Sequence, residues 1–127
     1  MRRAGFLFLR IIKAASPSLI GLFLSGSSLA QDQDGASVGF MLPHCKAALE
    51  FRLNNPFTFG CAETINTFAY VATILPPRVT FCPPPNTSSQ QMIRAVVTFF
   101  ERQPQFARDN FRAATLLALH TTWPCPE

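Results

Sequence analysis

Residues 81–106 read FCPPPNTSSQQMIRAVVTFFERQPQF: a proline-rich entry, a polar boundary, then an apolar run stopped by another proline. Ser88 and Gln91 stand at that boundary with the spacing of a capping box, in which each side chain satisfies the other residue's unpaired backbone N–H. Met92, Ile93, Val96, Val97, Phe99 and Phe100 follow at helical steps and form a broad apolar stripe. Pro104 cannot continue the hydrogen-bond ladder and ends the run. The stretch therefore predicts a capped, amphipathic helix.

The flanking segments have the same character. A last helix is expected to open near Asp109, with Phe111, Ala114, Leu116, Leu117, Ala118, Leu119 and Trp123 apolar around much of its girth, which predicts the central helix of the fold. The short link RQPQFAR (102–108) makes these two helices antiparallel neighbours. Upstream, Cys61, Ile65, Phe68, Ala72 and Leu75 share a helical face between NNPFTFG and the stop at Pro76, with no strand-like alternation. Val38, Met41, Leu42, Cys45, Ala48 and Leu49 mark a first helix that Ser37 can cap. Pro43 is discordant there: either the helix starts near it or bends at it. The expected fold is all-α, a small four-helix disulfide-stapled domain.

Residues 1–30 read as a secretory signal. Arg2, Arg3, Arg10 and Lys13 are unaccompanied by any acid, a short apolar run spans Leu19 to Leu24, and Ser28 and Ala30 are small where a signal peptidase needs them. Cleavage is expected before Gln31, leaving residues 31–127 as a single domain. Arg10, Lys13, Ser16 and Pro17 interrupt the roughly 20 apolar residues a spanning helix needs, so no membrane association is expected after cleavage.

The four basic residues leave with the signal. Of the chain's 11 Lys and Arg, seven then face seven Asp and Glu, so the net charge of +4 belongs to the precursor. A neutral mature chain lacks the cationic surplus of a nucleic-acid binder.

An exported chain with an even number of cysteines reads as disulfide-bonded. Cys82 precedes the third helix and Cys125 follows the fourth, placing both at one end of that hairpin. A short turn likewise brings Cys45 to the start of the second helix at Cys61. The pairing Cys45–Cys61 with Cys82–Cys125 follows. The alternative Cys61–Cys82 requires the chain to run back along nearly all of the second helix, a distance the intervening residues just span when fully extended.

Catalytic signatures do not emerge. His44 and His120 are the only neutral-pH bases, and disulfide formation removes the thiolates a Cys–His pair would need. The cysteines have no close C-x-x-C spacing for zinc, and no glycine loop, G-x-S-x-G or H-E-x-x-H is present. Neither a metal nor another cofactor is expected, nor an enzyme. Asn86-Thr87-Ser88 matches a glycosylation acceptor by letter only, at a helix entry.

The segments FMLPHCKAALE (40–50), FGCAETINTFAYVATILPPRVTFCPPPNTSSQQMIRAVVTFFERQPQF (59–106) and ALHTTWPC (118–125) together resemble the Rap/Tai family of small periplasmic proteins, immunity proteins against type VI secretion amidase effectors. The resemblance runs from about Val38 to Cys125, strongest at FCPPP with its capped helix, at RQPQ and at WPC. Many members have a Gly-Tyr-rich start to the second helix where this chain has CAETIN (61–66). The resemblance implies a periplasmic, disulfide-stapled helical protein that occludes the groove of a cell-wall amidase. A general envelope-binding or chaperone-like helical protein is the alternative, and a homodimer is left open.

An inhibitor of this kind acts by presenting a rigid turn. The expected surface is the loop between the third and fourth helices, with Arg102, Gln103, Gln105, Arg108 and Asp109, at the hairpin end opposite the Cys82–Cys125 bridge. The turn RLNNPFTF (52–59), with Asn54 and Asn55, is the second choice.

Overall fold

The capping box forms as its spacing requires: Gln91 N donates to Ser88 Oγ at 3.2 Å, and Ser88 N donates to Gln91 Oε1 at 2.7 Å. The structure is a computed structural model and describes residues 37–127. The expected export segment and its cleavage point lie outside the described residues. Four α-helices follow in order: α1 Val38–Leu49, α2 Pro56–Val71, α3 Ser89–Arg102 and α4 Phe111–Thr122. Short 3-10 turns, Ala72–Ile74 and Pro104–Arg108, extend α2 and join α3 to α4. Among the described residues there is no strand, only an isolated antiparallel bridge between Ser37 and Asn110. No helix among them is long and apolar enough to cross a membrane.

Each helix starts where a polar side chain replaces the missing intrahelical acceptor. Ser37 Oγ accepts from Phe40 N, and Asn55 Oδ1 accepts from Phe57 N with Pro56 at the first helical position, where its absent N–H costs nothing. Asn110, not the expected Asp109, caps α4, its Oδ1 accepting from Arg112 N and Ala113 N. Helix α1 runs unbroken through Pro43, on its exposed side. The α-helical part of α2 ends at Val71, before Pro76 and Pro77, because the last turn tightens to 3-10.

The core joins Val38, Met41, Cys45 and Ala48 of α1 to Cys61 and Ile65 of α2, then to the buried faces of α3 and α4. Helix α3 contributes the largest single share of it through Met92, Ile93, Val96, Val97 and Phe100. At about 1.5–3 kcal/mol per buried side chain, this face stabilises by on the order of 10 kcal/mol before conformational entropy is subtracted.

The expectation that α4 is central is corrected by this arrangement. Helices α1 and α3 carry most of the packing between helices, whereas α4 packs mainly on α3 and leaves Leu117 43% exposed. The outer side of α4 is only draped by the loop at Arg78 and Val79, which His120 holds by donating from Nδ1 to the Thr80 carbonyl at 2.6 Å.

Both disulfides join the pairs that the hairpin geometry indicates, Cys45–Cys61 and Cys82–Cys125, and no described cysteine is free. The inner bridge is fully buried, while Cys82 is exposed. Beside the outer bridge, Cys82 N donates to Trp123 O at 2.8 Å.

Candidate protein-binding surface

Helix α1 ends in a motif that normally demands glycine. Arg52 N donates to Ala47 O and Phe51 N to Ala48 O, both at 3.1 Å, which is the paired bonding of a Schellman cap. Phe51 occupies the left-handed position with φ 57° and leaves its side chain 73% exposed. A Cβ in that conformation costs about 1–2 kcal/mol. Leu53, Phe57 and Phe59 are also exposed. Phe57 meets Phe40 edge-to-face at 4.9 Å, and His44 lies against both rings. In the same turn Asn54 is exposed, but the Asn55 side chain is occupied by its capping bond.

The α3–α4 link is built differently. Gln103 closes α3 by donating from N to Phe100 O, and its side chain accepts from Gln105 Nε2. Phe106 turns inward against Phe99 at 5.6 Å. Asp109 N donates to Phe106 O at 2.9 Å, and Asp109 O accepts from Val38 N at 3.0 Å. Gly39 permits this approach, since a Cβ there would stand 3.0 Å from Ala107 O. The link is therefore pinned to the start of α1 and leaves Arg102, Gln105 and Arg108 exposed.

The seven residues expected at the surface thus fall into two groups. Arg102, Gln103, Gln105, Arg108 and Asp109 belong to the end of α3 and the link after it, which Asp109 ties to the beginning of α1. Asn54 and Asn55 follow the end of α1, about 17 Å away along its axis by helical rise. Sequence reasoning missed the aromatic exposure around Phe51 and Phe40. It also passed over Arg94, which lies two turns before Arg102 on α3; the i, i+4, i+8 spacing of Arg94, Thr98 and Arg102 was the available signal.

Both histidines are committed to packing or to a backbone carbonyl, and no group of three or more His, Cys, Asp or Glu among the described residues can hold a metal ion. The arrangement suits recognition by shape and charge. The family model of the Rap1a immunity proteins matches residues 59–125. The chain belongs to this family. No curated protein and no solved structure matches it. The Rap1a match contains the α3–α4 link, Arg94 and both ends of the outer disulfide, whereas α1, Cys45 and the aromatic turn through Phe57 precede it.

Proposed function

We propose that this protein is exported, cleaved before Gln31, and acts in the periplasm as a stoichiometric inhibitor of a type VI secretion peptidoglycan amidase. Membership of the Rap1a immunity proteins carries the reading. The amidase and the periplasm come from the sequence resemblance, and the two disulfides are consistent with an oxidising compartment. The inhibitor performs no chemistry and occludes the substrate groove with the α3–α4 link. That link suits the task because it is held before binding by Val38 N to Asp109 O and by the Gly39–Ala107 contact, so little ordering cost remains when a partner docks.

The test is capture from a periplasmic extract of the native host, followed by peptidoglycan hydrolysis with and without added protein. The expected result is a captured amidase inhibited at equimolar ratio. Arg102→Glu with Arg108→Glu should weaken inhibition by about thirtyfold or more, the scale of a central interface residue. Inhibition untouched by the double reversal rejects the link as the presenting element; no captured amidase and no inhibition reject the function. The exposed aromatic turn favours a second reading, a holding protein for apolar envelope clients. In that case suppression of client aggregation is lost on Phe51→Ser and Phe57→Ser, with no amidase involved.

A further inference from the structure

The outer face of α3 carries a groove of about 480 Å³ lined by half-buried Ala95, Thr98 and Phe99, by exposed Arg94 and Arg102, and by Thr121 of α4. The groove has no acidic lining residue. The ion pairs among the described residues are Lys46–Glu101 and Arg52–Glu50, so neither Arg94 nor Arg102 has a carboxylate partner there. Glu101, adjacent in sequence, is drawn to Lys46 of α1 at 2.6 Å. The α3–α4 hairpin therefore concentrates unpaired positive charge, with Arg108 and Arg112 also exposed, although residues 31–127 together carry seven basic and seven acidic side chains.

We propose that this groove binds an acidic polypeptide segment, with one carboxylate on Arg94, one on Arg102, and apolar side chains between them against Phe99 and Ala95. The two arginines are eight residues apart, roughly 12 Å along the helix axis. Extended outward from those positions, the two side chains suit two separate carboxylates better than one phosphate-sized anion. A polypeptide supplies them with carboxylates seven or eight residues apart in a helix, or about four apart in an extended strand. The planar guanidinium favours paired hydrogen bonds to carboxylate oxygens, and the half-buried apolar lining supplies the contact that separates recognition from loose charge attraction. This inference goes beyond amidase occlusion: the groove shares Arg102 and Gln103 with the base of the α3–α4 link and adds Arg94, Ala95 and Phe99, which that link does not contain.

The probe is a fluorescein-labelled, alanine-based helical peptide with two glutamates seven residues apart and leucines between them. Its control is an isomer of equal composition with the glutamates adjacent. Polarisation at low ionic strength should show the spaced peptide binding about tenfold tighter than the isomer, a difference that nonspecific attraction does not produce. Arg94→Ala and Arg102→Ala should each lose about fivefold or more, and Arg94→Lys should recover only part of the loss. Amide shifts on titration should cluster on residues 91–103 and 121–122. Equal affinity for the two isomers overturns the proposal. So does binding unchanged by Arg94→Ala, or shifts centred on residues 51–59. Both arginines are exposed, so the variants should fold, and their melts check this. The measurement requires no amidase and stands or falls separately from the proposed inhibition.

Discussion

The two disulfides should contribute in the order opposite to their loop lengths. Cys82–Cys125 spans 43 positions and Cys45–Cys61 spans 16. Loop-closure entropy alone assigns about 4 kcal/mol to the outer bridge and about 3 kcal/mol to the inner one. Burial reverses the ranking. Cys82 is exposed and Cys125 half-buried, so Cys82→Ala with Cys125→Ala removes little packing and should cost no more than the entropic 4 kcal/mol. Cys45 and Cys61 are both 0% exposed between α1 and α2, and replacing both by alanine also leaves unfilled space, adding about 1 kcal/mol for each lost sulfur. The inner double variant should therefore lose about 5 kcal/mol, a large part of the total stability of a domain this size. Urea unfolding of both variants under non-reducing conditions measures the difference, with midpoints compared at equal slope. An outer variant less stable than the inner one would refute the reasoning, because it would mean that chain entropy outweighs core packing at these bridges.

Other expectations follow from single contacts. Gly39→Ala gains helix propensity yet brings a methyl within 3.0 Å of Ala107 O, and a net loss of about 1 kcal/mol is expected by thermal melting; a rise in Tm would show that the α3–α4 link yields freely. Asn110→Ala removes the acceptor for Arg112 N and Ala113 N and should cost about 1–2 kcal/mol, most of it restored by Asn110→Asp. Thr115 is fully buried and its Oγ1 has no hydrogen-bond partner, so Thr115→Val should stabilise by about 1 kcal/mol; a loss in chemical denaturation would reveal a partner for that hydroxyl. Phe51→Gly relieves the left-handed strain while losing a mostly exposed ring and adding chain entropy, so stability should stay within about 0.5 kcal/mol of the parent in urea titrations, unlike Phe100→Ala in the core, which should cost about 3–5 kcal/mol.

Local chemistry was legible in the sequence wherever a few neighbouring residues decide the outcome. The Ser88–Gln91 box, the Ser37 cap, the proline stop at Pro104 and the helical stripes each depend on spacing within one or two turns, and spacing is what a sequence records. The disulfide pairing was legible for a related reason: a short link between α3 and α4 leaves few places for Cys82 and Cys125 to go. What remained for the tertiary structure concerns environment. Leucines on two sides of α4 look central in a linear reading, yet Leu117 is exposed because α4 packs mainly on α3 while α1 and α3 fill the middle. Asn55 reads as a contact residue, and its side chain is a cap. Phe51 reads as an apolar residue near a helix end, and only the folded backbone places it at φ 57° in a cap where glycine is usual. The contact of Gly39 with Ala107 and the unpaired state of Arg94 and Arg102 likewise depend on segments far apart in the chain. Periodicity specifies which face of a helix is apolar, but only the packing of all the elements decides which faces are left over to meet a partner.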